Sequence, residues 1–180
     1  MKDINKIIGD YKYGFSSEVK DVYNTGVGLN EEVVRAISAF KGEPEWMLNF
    51  RLQAYREFDK MPLPDFGPDL KFIDFNDYTY YIKSTNEVEN SWEDVPQEIK
   101  ETFEKIGIPE AERKYLAGVS TQFESEVVYH NTLEEIEKEG VIFCDTDTAL
   151  KKYPHLFEEY FGQVVPLGDN KFAALNSAVW

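Results

Sequence analysis

The sequence closes on KFAALNSAVW, residues 171–180, a run of small and apolar residues ending in an aromatic. Chain ends are ordinarily polar and poorly ordered unless they are tied into the fold. Two expectations follow: the segment is a buried final strand, or the chain stops where something larger begins. Either way, extended structure is expected here.

The rest of the chain is that of a folded protein. With 180 residues it falls within the range of one domain and can bury roughly two-thirds of its unfolded surface. Hydrophobic residues make up 42% and charged residues 29%, with 13 Phe and 11 Tyr, which is far from a disordered composition. The 34 acidic against 19 basic side chains give a net charge of −15, opposing non-specific attraction to nucleic acid or anionic lipid. No stretch has the apolar run of a signal peptide or the roughly 20 apolar residues of a membrane span, so a cytoplasmic protein is expected. The sole cysteine, Cys144, cannot form an intrachain disulfide, which agrees with a reducing compartment.

Helical and extended patterns alternate without a repeat, which predicts an α+β fold. GLNEEVVRAISAF predicts a helix capped by Asn30, with Leu29, Val33, Ile37 and Phe40 as its apolar stripe. A second helix is expected from Pro44 onward, with Met47, Phe50, Ala54 and Phe58 on one face, stopped by PLPDFGP. DYTYYIKS alternates Tyr78, Tyr80 and Ile82 against Thr79 and Tyr81, as a strand would. The acidic stretch from Ser84 to Glu98 reads as a surface connection into a short helix ending near Gly107. VSTQFESEVVY reads as one half-buried strand with Val119, Thr121, Phe123, Ser125, Val127 and Tyr129 on one face. NTLEEIEKEG predicts a helix closing at Gly140, VIFC a short buried strand, and TDTALKKYPHLFEEYFG helical turns around Pro154.

Several stretches imitate functional motifs. NTGVGLNEE places two glycines before a helix, but Glu31 stands where a dinucleotide fingerprint needs its third glycine, and its carboxylate would repel a pyrophosphate. Asp145 and Asp147 have the spacing that opens a calcium loop, yet Ala149, Leu150 and Leu156 occupy later positions that need ligands or the turn glycine; the acids are expected to cap the following helix instead. His130 and His155 share no short metal motif. Cys144 follows three apolar residues and reads as a buried structural thiol. There is no GxSxG and no Walker lysine after a glycine loop. No catalytic, cofactor-binding or metal-binding residue is assigned.

One resemblance covers the whole chain. GLNEEVVRAISAFKGEPEWMLNFRLQAY, SWEDVPQEIKETFEKIGIPEAERKYLAGV, QFESEVVYHN, GVIFCDTDTAL and EYFGQVVPLGDNKFAALNSAVW, in this order, resemble the N-terminal part of SufB, a scaffold of the SUF iron–sulfur cluster assembly system in the SufB/SufD family. The resemblance implies an N-terminal α+β domain over 1–168, with 169–180 beginning a right-handed parallel β-helix whose further rungs are missing. KFAALNSAVW would then be its opening strand, unpaired or paired with another copy. It also implies a noncatalytic domain. The iron–sulfur cluster, the SufC ATPase, SufD and a cysteine desulfurase or other sulfur donor would be engaged through the full-length protein.

Within the domain, Trp46, Arg51 and Arg56 on the second helix and Trp92 in the acidic connection form a candidate partner surface. At least one of Arg51 and Arg56 is expected to pair with an acidic neighbour. The alternative function is a free-standing acidic interaction module derived from the same family without a role in cluster assembly.

Overall fold

The computed structural model describes residues 21–84, 91–107, 118–123, 125–132 and 134–180. In chain order the elements are β1 (Tyr23–Asn24), α1 (Glu31–Lys41), α2 (Glu45–Lys60), a 3-10 turn (Phe75–Asp77), β2 (Ile82–Lys83), a second 3-10 turn (Trp92–Asp94), α3 (Gln97–Lys105), β3 (Gly118–Phe123), β4 (Glu126–Thr132), α4 (Glu134–Lys138), α5 (Thr146–Lys152), α6 (Pro154–Tyr160) and α7 (Lys171–Val179). Helices with small antiparallel sheets make this an α+β fold. The chain divides into two compact units, one containing Ser84–Phe143 and the other Val22–Lys83 with Cys144–Trp180.

The second unit is built on α1, α2 and α7. Asn30 caps α1 by accepting a hydrogen bond from the Val33 amide at 2.9 Å, as the sequence predicts. The helix ends at Gly42, whose φ of 65° lets the Gly42 and Glu43 amides reach back to the Ala39 and Ser38 carbonyls. Val34 and Ile37 are buried, whereas Phe40, expected inside, is 46% exposed and packs its ring on Tyr23 with centroids 3.8 Å apart.

Residues 171–179 are a helix, not a strand. Asn170 accepts from the amides of Phe172 and Ala173, at 2.9 and 3.1 Å, leaving Ala174 and Ala178 one turn apart on the buried face. Alanine and leucine favour a helix, and small buried residues let another backbone come close. That backbone is α2, which runs antiparallel to α7: Arg51 meets Ala178, and the C-terminal end of α2 meets Lys171. Residues 171–180 therefore belong to the same compact unit as α1 and α2. Trp180 ends the segment 51% exposed.

The buried stripe of α2 is Met47, Arg51, Ala54 and Phe58, with Leu52 beside it. Phe50, placed on that stripe by the sequence reading, lies half-buried against Phe161, 5.1 Å between ring centroids. Phe157 stacks on Phe161 at 4.6 Å. Gly162 follows with φ of 72°, and a Cβ there would meet the Phe50 ring at 2.8 Å. Both the left-handed backbone and the close approach exclude a side chain, so Gly162→Ala is expected to cost about 2 kcal/mol. Urea denaturation measures this, and a loss below about 0.5 kcal/mol would contradict the packing.

Three extended readings change. In DYTYYIKS only Ile82–Lys83 forms a ladder, with Tyr23–Asn24, and Thr79 makes an isolated bridge to Val27. Tyr81 is the buried tyrosine, 1% exposed beside Tyr23 and Phe40, while Tyr78 is 50% exposed. VSTQFESEVVY is a hairpin: β3 pairs antiparallel with β4, from Gly118 opposite Thr132 to Phe123 opposite Glu126, with an irregularity at Thr121 and Gln122. Among the hairpin residues whose burial is described, Val128 is buried and Ser125 and Val127 are half-buried. VIFC is not a strand, and Val141, Ile142 and Phe143 are exposed. The Val141 amide is committed to closing α4, donating to Ile136 across Gly140, where φ is 82°.

The first unit has a separate core of Trp92, Val95, Ile99, Phe103 and Val128. The Trp92 ring meets Phe103 edge-on at 5.8 Å. The acidic connection is thus anchored by Trp92 and Val95; its residues 85–90 lie outside the described ones, as do the N-terminal residues 1–20. Asp145 caps α5 through the Thr148 amide at 2.8 Å, and α6 follows with Pro154 as its first residue, the helical turns around Pro154 that the sequence predicts.

Candidate functional site

Of the residues predicted to form a partner surface, α2 carries three and turns them in different directions. Arg51 is interior. Its Nε and Nη2 donate to the two Glu43 carboxylate oxygens at 2.7 and 2.6 Å, and Nη1 donates to the Ala178 carbonyl at 3.3 Å. Both side chains of this pair are almost wholly enclosed, at 2% and 1% exposure. A planar guanidinium matched to a carboxylate on one edge, with a helix C-terminal carbonyl on the other, is the arrangement in which a buried charge is compensated. Arg56 is exposed and pairs with Glu31 at 2.9 Å; Glu31 also approaches Arg35 at 3.6 Å. Both arginines are therefore paired, one inside the unit and one on its surface. Trp46 is half-buried near Phe157, centroids 6.4 Å apart. Trp92 is 6% exposed within the core of the other unit. Arg51 and Trp92 are therefore interior groups, withdrawn from any contact surface because each fills a core position.

Three ionic groups that sequence reading passed over organise the second unit. Glu43 has no local signal beyond an acid just past a helix end. Lys171 donates to the Phe58 and Met61 carbonyls at 2.6 and 2.9 Å, with its ammonium 4.3 Å from the Phe58 ring centroid. Lys41 reaches Asp147 at 2.7 Å. The Arg51–Glu43 pair and Lys171 have a common effect: Arg51 binds the C-terminal end of α7 and Lys171 the C-terminal end of α2, so each helix closes the other.

An open cleft of about 440 Å³ lies beside this clamp, between the C-terminal half of α2, the residues before and within the Phe75–Asp77 turn, and the start of α7. Tyr55, Phe58, Phe72 and Phe75 supply rings, and Asp59 and Asp74 supply carboxylates. Burial pushes the Tyr55 hydroxyl above its usual range, and the negative charges of Asp59 and Glu31 add to the effect. Tyr80, whose hydroxyl donates to the Phe75 carbonyl at 2.5 Å, is raised by burial, then by Tyr78 and Asp74. Both phenols stay protonated at neutral pH.

Cys144 is half-buried. Burial raises its thiol, Asp145 raises it further, and Lys152 opposes the shift only in part. A protonated thiol is a poor nucleophile and a poor metal ligand. Asp145 accepts from both the amide and the hydroxyl of Thr148, and Asp147 is engaged by Lys41, so the apparent calcium motif is a helix cap and an ion pair. Among the described residues, no three His, Cys, Asp or Glu side chains are grouped as a metal site requires.

Comparison with known proteins bears on the chain as a whole. It is 59% identical over 173 residues to an iron–sulfur cluster assembly SufBD family protein of Staphylococcus haemolyticus (strain JCSC1435), covering 96% of this chain and 37% of the relative. Along nearly its whole length the chain is similar to SufBD family proteins. A family member from Staphylococcus epidermidis (strain ATCC 35984) shows the same identity and coverage, and one from Staphylococcus aureus (strain USA300) is 58% identical over the same shares. No family model matches the chain. The chain thus spans little more than a third of the length of the curated relatives it matches. No helix among its described residues is long and apolar enough to cross a membrane.

Proposed function

We propose that this chain is the N-terminal α+β domain of a SufB-type scaffold, noncatalytic by itself, which covers the part of the scaffold that builds the cluster. The observation that carries this reading is the 59% identity to SufBD family assembly proteins along 96% of the chain. The geometry is compatible with it. The buried charges Arg51 and Glu43 are spent on each other and on a helix end, and the lone thiol is held in its protonated form. In this reading the iron–sulfur cluster is the cargo of the longer protein, handled in the cytoplasm with the SufC ATPase, SufD and a cysteine desulfurase or other sulfur donor. The boundary at 168, with 169–180 leading toward a β-helix, belongs to the same proposal; α7 would then be the helix that precedes the rungs or rearranges to join them.

The S. aureus relative provides the test. Removing the segment that matches this chain, and reconstituting both forms anaerobically with ferrous iron and sulfide, is expected to leave cluster formation in place while lowering the solubility and the melting temperature of the shortened protein. Loss of the cluster from a shortened protein that keeps its circular dichroism and melting temperature would overturn the covering role.

A further inference from the structure

The arm from Pro154 to Gly168, made of α6 and the turns after it, contains no buried residue, although it is rich in apolar ones. It carries two apolar stripes at helical spacing. Phe157 and Phe161, both half-buried, turn toward α2, where Phe157 lies near Trp46 and Phe161 meets Phe50. Leu156 and Tyr160, each one residue earlier, face solvent at 38% and 65% exposure, and the arm runs on into Val164 and Val165 at 92% and 56%. A surface helix keeps one apolar face on a core and its other side polar, whereas a helix with a second apolar face is ordinarily packed against a second layer. Here α2 is one layer, and the outer face is bare. Single exposed apolar side chains need no explanation, but several so close together form a patch of the kind that marks a contact.

We infer that this outer face, Leu156, Tyr160, Val164 and Val165, is where the remaining part of a longer SufBD family protein packs, an apolar contact within one chain that holds the domain on the scaffold. The inference rests on the N-terminal-domain reading and adds to it the face that makes the contact. Two observations select this occupant. The chain covers 37% of the S. haemolyticus relative, so most of such a protein lies outside these residues. Phe50 and Arg51 are consecutive in α2, the first meeting Phe161 and the second donating to the Ala178 carbonyl, two residues before Trp180. The arm and the end of α7 therefore rest on the same turn of α2, and on this reading the longer chain continues from Trp180, close to the bare face. A tethered segment reaches a nearby surface at high effective concentration, so the contact needs little intrinsic affinity. A second copy of this chain is the poorer occupant, because two chains of net charge −15 repel one another.

The test compares the 180-residue chain with the full-length S. aureus relative. Tyr160→Ser with Val164→Ser, made in the chain and at the matching positions of the relative, is expected to move the melting temperature of the chain by less than about 2 °C and to lower that of the relative by about 5 °C or more. Hydrogen exchange of the unaltered proteins is the second readout: amides of residues 156–165 are expected to exchange at least about tenfold more slowly in the relative than in the chain. Equal melting shifts in the two proteins, or equal exchange of the arm, would overturn the inference. So would a chain that sediments as a dimer and becomes monomeric in the double variant, since a second copy would then occupy the face. If the arm proves uncovered while removal of the whole matching segment still lowers the melting temperature of the relative, the covering role stands and a different face makes it. If neither change lowers it, the covering role falls as well.

Discussion

Arg51→Met is expected to destabilise the protein by about 3–5 kcal/mol, the cost of leaving a carboxylate buried without its counterion. Glu43 would retain 1% exposure with neither guanidinium nor water to replace it, and the Ala178 carbonyl would lose its donor. The methionine stem reproduces most of the packing of the arginine stem, so the loss reports the charge and its hydrogen bonds. Replacing both partners, Arg51→Met with Glu43→Leu, should recover a large part of the deficit because no orphaned charge remains. Urea denaturation of the two single variants and the double variant gives the coupling directly. Single variants within about 0.5 kcal/mol of the parent would show that the pair does not hold α2 to α7.

Phe58→Ala is the second large effect, about 3–5 kcal/mol, because several contacts converge on one ring. Phe58 is 6% exposed, meets Phe75 edge-on at 5.1 Å, belongs to the core with Leu29, Val34, Leu52 and Ala174, and lies beneath the Lys171 ammonium. Truncation leaves a cavity and removes the ring on which the end of α7 rests. Phe58→Leu, which keeps most of the volume, should cost less than about 1.5 kcal/mol. If the alanine and leucine variants have the same midpoint of denaturation, the ring is not packed as described.

Much of the helical framework was legible because its signals are local. Asn30 before an acidic first turn, Gly42 after Lys41, and Asp145 before a threonine-rich turn each specify a helix end from the side chain itself. KFAALNSAVW also carried such a signal: Asn170 stands one residue before a run rich in alanine, and Ala174 and Ala178 are one turn apart. The extended reading gave that signal too little weight against the resemblance. The hairpin of residues 118–132 was read as one strand because no Asn-Gly or similar turn pair separates its arms. The period of two continues across the turn, so local pattern alone gives one strand where the chain makes two.

Arg51 marks another limit. A helical period placed Phe50 on the buried stripe and treated the arginine beside it as a surface group. Its burial depends on Glu43 and on the end of α7, which lies 127 residues away, and no window of local sequence contains both. The cleft was invisible for the same reason, since α2, the 70–77 stretch and Lys171 meet only in the folded unit.

Under the proposed function, the chain's own residues do not carry an iron–sulfur cluster. Two-iron and four-iron clusters are held mainly by four thiolates, and this chain has one cysteine, with its thiol shifted toward the protonated form. Anaerobic reconstitution of the 180-residue chain with ferrous iron and sulfide, followed by desalting and visible absorption, measures this most directly. The predicted result is no stoichiometric charge-transfer band after desalting. A band that survives desalting and disappears in Cys144→Ser would place this domain within the cluster site and contradict the account.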